Sequence, residues 1–132
     1  MKYILMMSGT KADFDGYAHW PEEVLQANMA FMRSLGKELE ESGALVANEG
    51  LAFPDQARLV RAGDDGEPVT DGVFPESKEF LAGYLIVDVD GPEEAYKLAA
   101  RASQAPRPAG FEGNTAIEVR PVLSDDASED GL

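Results

Sequence analysis

The chain has 132 residues, of which 44% are apolar, and it has a formal net charge of −14 and no cysteine. This length and apolar share suffice for one domain with a hydrophobic core. Without cysteine, disulfides, thiolate metal sites and cysteine nucleophiles are excluded. Because 25 acidic residues outnumber 11 basic ones, the chain repels phosphate backbones and anionic lipids, and we expect no nucleic-acid or membrane partner. The apolar run at residues 1–7 is too short for a signal peptide, which indicates a cytoplasmic protein.

The first third of the chain predicts a strand, a loop and a long helix. Residues 3–7 are apolar on both faces of a strand and precede a polar turn, which is typical of a buried strand. Residues 11–20 follow neither the helical nor the strand period and predict a loop. Pro21 then opens a helix over residues 22–42, which Gly43 ends. Its apolar positions recur every three or four residues: Leu25, Met29, Met32, Leu35 and Leu39.

The rest of the chain predicts short strands, one strong strand, a second helix and a closing strand. Residues 44–53 and 57–62 indicate strands, and we expect tight turns at residues 63–66 and at Asp71-Gly72. Further segments follow in chain order: a core strand over 79–89, a helix from Pro92 to near Gln104, a loop from Pro106, and a last strand over 115–123. The predicted order is therefore β-α-β-β-β-α-β.

This order predicts an α+β fold, namely a ferredoxin-like antiparallel sheet with two helices on one face. Since residues 3–7 and 81–89 carry apolar side chains on both faces, the face without helices would leave an apolar patch on a monomer. A face-to-face homodimer is the natural cover for that patch. We expect the domain to span residues 1–123, and the segment 124–132, which is rich in acidic residues, to form a disordered tail.

Residues 71–79, DGVFPESKE, are followed at 83–89 by GYLIVDV. Together with the opening KYILM at 2–6 and the closing IEVRPV at 117–122, these segments resemble the YCII-related domain family in its DGPF branch. The resemblance covers roughly residues 1–123 and implies a dimeric α/β barrel. It departs from the branch motif at Val73, which stands where the motif has proline, and Pro75 follows two positions later.

The resemblance also implies two roles. Domains of the family's other branch resemble enzymes with a His–Asp pair, and some DGPF-type proteins resemble companions of extracytoplasmic-function sigma factors. Many relatives place a histidine eleven residues before the glycine that ends the first helix. Met32 occupies that position here, so the acid–base residue that the resemblance implies is missing.

Six residues are candidates for ligand binding, and each also has a structural interpretation. His19, the only histidine, follows two aspartates and could form a carboxylate–imidazole pair or remain an exposed loop residue. Asn28 borders the helix stripe and could face a cleft or water. The remaining candidates lie near the predicted turn: Asp71, Phe74, Ser77 and Lys78. Lys78 could attract a carboxylate or phosphate and Ser77 could donate a hydrogen bond to it. In the structural interpretation, Asp71 caps the turn and Phe74 plugs the end of the barrel.

The sequence leaves three functions open. The leading hypothesis is a homodimeric small-molecule-binding module. The second is an enzyme that uses Asp71, Asp88 or His19 as a general base, and the third, which rests on the resemblance alone, is a regulatory companion of a sigma factor. Because the chain has no phosphate-binding loop, nucleophile elbow, zinc-helix motif or dinucleotide fingerprint, we expect no cofactor and no metal.

Overall fold

The computed structural model describes residues 1–72, 79–108 and 116–123. In this part of the chain, six strands, three α-helices and one short 3₁₀ turn follow one another. Their bounds are β1 Lys2–Thr10, α1 Lys11–Tyr17, α2 Glu22–Glu41, β2 Leu45–Gly50, the 3₁₀ turn Pro54–Gln56, β3 Arg58–Ala62, β4 Pro68–Gly72, β5 Glu79–Asp88, α3 Pro92–Ala102 and β6 Glu118–Pro121.

Four strands form the main antiparallel sheet in the order β2-β5-β1-β6. The central pair is β1 and β5, in which Leu5 lies opposite Leu85 and Ile4 opposite Ile86. Because side chains alternate along a strand and directly opposed residues share a face, Leu5 and Leu85 belong to one face and Ile4 and Ile86 to the other. The ferredoxin-like α+β prediction is confirmed by this sheet.

The hydrophobic core lies between one face of this sheet and helices α2 and α3. Leu5, Leu85 and Val87 have at most 1% of their surface exposed. Helix α2 contributes two leucines, while α3 contributes only small side chains, which let its backbone lie close to the sheet. The buried core residues are Tyr3, Leu5, Leu35, Leu39, Leu85, Val87, Ala95, Ala99 and Ala102.

The loop prediction for residues 11–20 is wrong, because Lys11–Tyr17 form helix α1. A capping box starts this helix: the backbone N–H of Asp13 donates to Thr10 Oγ1 at 3.2 Å, and the Thr10 N–H donates to Asp13 Oδ2 at 2.8 Å. Two of the otherwise unpaired N–H groups at the helix start are satisfied in this way. A helix of only seven residues is too short to show a clear apolar period, which explains the error.

The turn predicted at Asp71-Gly72 is also wrong, since both residues end strand β4. Strands β3 and β4 pair as a two-stranded antiparallel hairpin separate from the main sheet, and the turn between them contains Gly66 at φ +84°. All residues of both strands are exposed. The observed order therefore has one strand and one short helix more than the predicted order.

The remaining element predictions agree with the structure to within a few residues. The predicted helix at 22–42 is observed at 22–41, and the core strand predicted at 79–89 is observed at 79–88. The predicted tail at 124–132 lies outside the described residues. None of the helices in the described ranges combines the length and apolarity needed to span a bilayer.

Candidate functional site

A cleft of about 490 Å³ opens on the helix-covered side of the sheet, at the end of β1 that leads into α1. Its lining comes from several separate segments of the chain, namely the last residues of β1, helix α1, the middle of α2, the end of β2 and the end of α3. A volume of this size lies within the range typical of small-molecule sites. The cleft therefore lies at one end of the helix-covered face of the sheet, where core side chains do not fill the space.

The inner surface of the cleft includes an irregular part of the central strand pair. The pairing of β1 with β5 shifts between Met7 and Ser8, because Ala82 of β5 is an extra residue there. Both Ser8 and Ala82 line the cleft. Next to them, a Cβ atom on Gly83 would lie 2.9 Å from the Glu49 carbonyl oxygen, so β2 and β5 can pair this closely only with glycine at that position. Bulges of this kind frequently border binding sites.

Aromatic side chains dominate one part of the lining: Phe14, Tyr17, Trp20 and Phe53. Their rings form a row of three contacts. The centroid distances are 5.6 Å for Phe14 and Phe53, 6.0 Å for Phe53 and Tyr17, and 4.8 Å for Tyr17 and Trp20. All three contacts are tilted or edge-on, the geometry that ring quadrupoles prefer. We call these four residues the aromatic wall.

Helix α1 reaches the sheet because of a glycine at the end of β1. A Cβ atom on Gly9 would lie 3.1 Å from the Asp13 Cβ and 3.5 Å from the Phe14 ring. Any larger side chain at this position would push α1 outward. Gly9 thus lets the helix that carries Phe14 and Tyr17 pack directly against the strand.

Few polar side chains line the cleft, and several are already engaged. Asn28 Nδ2 donates to the Pro106 carbonyl oxygen at 3.0 Å, and Ser103 Oγ donates to the Ala100 carbonyl oxygen at 2.7 Å. Among the described residues, the charged side chains in the lining are Asp13 and Arg107. Asp13 uses one carboxylate oxygen, Oδ2, to cap α1, and its Oδ1 accepts no hydrogen bond from the described residues.

The position at which the family resemblance implies a histidine does lie in the cleft. Met32 lines it, as does Met7, and both are packed against the edge of the core. A thioether neither gains nor loses a proton at ordinary pH. It adapts its shape readily to an apolar neighbour, so this position supplies contact area instead of acid–base chemistry.

The structure places the ligand-binding candidates predicted from the sequence in different parts of the molecule. Asn28 lines the cleft. His19 is exposed in the turn after α1 and is not part of the lining. Asp71 lies on the exposed hairpin, where its Oδ2 accepts a hydrogen bond from Arg61 Nη1 at 3.1 Å. The other three candidates fall outside the described residues: Phe74, Ser77 and Lys78.

The sequence did not predict the aromatic wall, because three of its members, Phe14, Tyr17 and Trp20, lie in the segment predicted as a loop. Thr10 followed by Asp13 three positions later is the signal that could have revealed α1, since this spacing fits a capping box. Phe53 comes from the segment after β2, and only the folded chain brings it beside Phe14.

Away from the cleft, an ion pair links two helices. Arg101 on α3 donates to Glu38 on α2 with an N–O distance of 2.5 Å, which ties the two helices together. This hydrogen bond is the largest cause that lowers the pKa of Glu38 and raises the pKa of Arg101. Both side chains are about half exposed, so water screens much of the attraction. Within the described ranges, no three side chains gather in a way that could hold a metal ion.

Taken together, the antiparallel sheet, the helices on one face and the apolar cleft define a small ferredoxin-like α+β domain. The model of the YCII-related domain family matches residues 1–122, and the chain belongs to that family. A search of curated proteins found no match.

Proposed function

We propose that this chain forms a homodimer in which each protomer binds a small molecule in the largely apolar cleft. The observation that carries the proposal is the cleft itself, with its aromatic wall and only a few polar groups. Burial of a ligand against aromatic and thioether side chains removes apolar surface from water, which is the main source of affinity in sites of this type.

Two features favour binding over acid–base catalysis. Met32 stands where the family resemblance implies a histidine, and His19 lies outside the lining of the cleft. Within the family we assign the chain to the DGPF branch, because Asp71 and Gly72 begin the segment that carries that resemblance.

The dimer proposal rests on the face of the sheet opposite the core. Strand alternation places four large side chains there, all partly buried: Ile4, Met6, Tyr84 and Ile86. The register brings charged residues of both signs to the same face, namely Lys2, Glu49, Asp88, Glu118 and Arg120. An apolar centre with both charge signs around it suits pairing with a second copy of the same surface, because each charge can meet its opposite after a twofold rotation.

The binding proposal is tested with the neutral fluorescent probe N-phenyl-1-naphthylamine. Trp20 is the only tryptophan and lines the cleft, so energy transfer from Trp20 to the probe reports binding there. We expect saturable transfer in the unaltered protein and at least tenfold weaker binding in Ala105→Phe, which places a ring in the cleft. The matched control is Ala100→Phe, an exposed position on α3. Absence of saturable binding, or equal binding by both variants, would overturn the proposal.

The dimer proposal is tested by sedimentation equilibrium. We expect a dimer for the unaltered chain and a monomer for Ile86→Lys, which places a charge in the apolar centre of the sheet face opposite the core. Tyr96→Lys is the control, since Tyr96 is 53% exposed on α3, and it should remain a dimer. A monomeric unaltered chain, or a dimer that survives Ile86→Lys, contradicts this part of the proposal.

A further inference from the structure

We infer that the ligand of this cleft is an organic cation, a compound that carries a quaternary ammonium or a protonated ring nitrogen on an apolar body. This inference rests on the proposed function, because it names the ligand class of the same cleft. Three observations support it: the aromatic wall, the carboxylate next to it, and the charge of the whole chain.

The aromatic wall supplies the attraction that is specific to cations. The face of each ring is the negative end of its quadrupole, and Trp and Tyr rings attract a nearby cation more strongly than an alkyl side chain does. The ring centroids of Tyr17 and Trp20 are 4.8 Å apart, and those of Tyr17 and Phe53 are 6.0 Å apart. Sites formed by several adjacent rings are the usual way in which proteins bind quaternary ammonium groups.

Asp13 supplies a formal charge beside these rings. It precedes Phe14 on α1, and both side chains lie within 3.5 Å of the Cβ position of Gly9. The capping box fixes its carboxylate through Oδ2, while Oδ1 accepts no hydrogen bond from the described part of the chain. A carboxylate held in place with one oxygen of this kind can face a bound cation without first breaking a hydrogen bond within the described part of the chain.

The charge of the whole chain acts in the same direction. A net charge of −14 raises the local concentration of cations and lowers that of anions around the protein. In the described part of the lining, Arg107 is the opposing charge. It lies next to Pro106, the residue that Asn28 holds, and thus on a different segment from Asp13 and the aromatic wall. Because the Arg107 guanidinium repels a cation, we expect the cation to bind beside Asp13 against the aromatic wall.

The inference is tested with three probes of similar size and different charge: phenyltrimethylammonium, benzyl alcohol and benzenesulfonate. Binding is followed through Trp20 fluorescence and checked by titration calorimetry. We expect phenyltrimethylammonium to bind at least tenfold more tightly than either of the other two, and its affinity to fall as salt is raised because ions screen the attraction. Equal affinity for the neutral alcohol, or tighter binding of the sulfonate, would overturn the inference.

A pair of charge-neutralising variants locates the cation. Asp13→Asn removes the charge and keeps an oxygen that can still accept the Thr10 N–H, so α1 should remain capped. Asp15→Asn removes an equal charge from the same helix at an exposed position that pairs with Lys11. We expect about a tenfold loss of phenyltrimethylammonium affinity in Asp13→Asn and less than a twofold loss in Asp15→Asn. Equal losses would show that only the overall charge matters and would overturn the role of Asp13.

The same experiments separate failure of this inference from failure of the proposed function. If N-phenyl-1-naphthylamine binds in the cleft but the cation has no advantage over benzyl alcohol, the cleft is a binding site and the cation inference is wrong. If the naphthylamine also fails to bind, the proposed function is wrong as well.

Discussion

The two ends of β1 serve different purposes on the same face of the sheet. At the first end, Tyr3 and Leu5 are 3% and 0% exposed and pack tightly under α2 and α3. At the second end, Met7 and Ser8 border the cleft. One strand therefore contributes both to the stability of the fold and to the candidate site. The difference lies in what covers each end.

Small side chains on α3 explain the closed end. Ala95 and Ala99 allow the helix to lie close to the sheet, so the leucines of α2 and the strands fill the remaining space. Ala102, the last residue of α3, is part of both the core and the cleft lining. Beyond it no further turn of α3 covers the sheet, and a short helix and the aromatic wall surround the space that is left.

The comparison predicts its largest effect at Leu5. Leu5→Ala removes a fully buried side chain and should lower the free energy of unfolding by about 2–5 kcal/mol. Met7→Ala should cost less than half as much, since Met7 already borders open space and its removal only enlarges the cleft. Urea denaturation followed by circular dichroism measures both values. Equal losses at the two positions would contradict the distinction between a packed end and an open end.

The close approach of β2 to β5 predicts the next largest effect. Gly83→Ala would place a Cβ 2.9 Å from the Glu49 carbonyl oxygen, and the strands would have to separate, at a cost of about 1–3 kcal/mol. Gly50→Ala is the matched control, because nothing lies within 4 Å of its added Cβ. The same denaturation experiment should show a change of about 0.5 kcal/mol or less for Gly50→Ala. A neutral Gly83→Ala would mean that the strands tolerate the added methyl group.

A smaller and more local effect is expected at the start of α1. Thr10→Ala removes the side-chain oxygen that accepts the Asp13 N–H and should cost about 1 kcal/mol. Because α1 carries part of the aromatic wall, the emission of Trp20 should also shift to longer wavelength as water enters. Ser34→Ala, at an exposed position on α2, should change neither quantity. An unchanged Trp20 spectrum in Thr10→Ala would show that the wall does not depend on the cap.

The smallest effect concerns the ion pair between α2 and α3. Arg101 lowers the pKa of Glu38, so the folded state binds the Glu38 proton more weakly than the unfolded state does. The resulting stabilisation is fully present above the ordinary pKa of 4.5 and is lost as the pH falls through the lowered pKa. Glu38→Gln should therefore slightly flatten the acid side of the stability profile, whereas Glu40→Gln should not. If the free energy of unfolding of Glu38→Gln and of the unaltered protein changed identically with pH on the acid side, this account would be contradicted.

Sequence patterns predicted the scaffold well because its elements are long and periodic. The apolar stripe of α2 predicted a helix, and the β-branched and aromatic residues of β5 predicted a strand. The apolar residues on both faces of β1 and β5 correctly indicated a sheet with helices on one face only. Strand β4 was missed, since all five of its residues are exposed and it has no burial pattern to define it.

The candidate site was harder to predict because its members come from distant parts of the chain. Asn28 was identified through its place beside the α2 stripe, but Phe53 and Ser103 have no local feature that marks them as neighbours. Asp13 was noticed only as a companion of His19, and the fold instead places it beside Phe14. The contacts that define the cleft exist only after α1 docks on Gly9, which no short-range pattern encodes.

The central claim, a cleft built for a small cationic ligand, is tested most directly by a crystal structure of the full chain grown with phenyltrimethylammonium. The account predicts an open cleft with the probe against Tyr17, Trp20 and Phe53 and its ammonium group near Asp13. A cleft closed by its own side chains, or a probe bound elsewhere with the cleft empty, would contradict the claim.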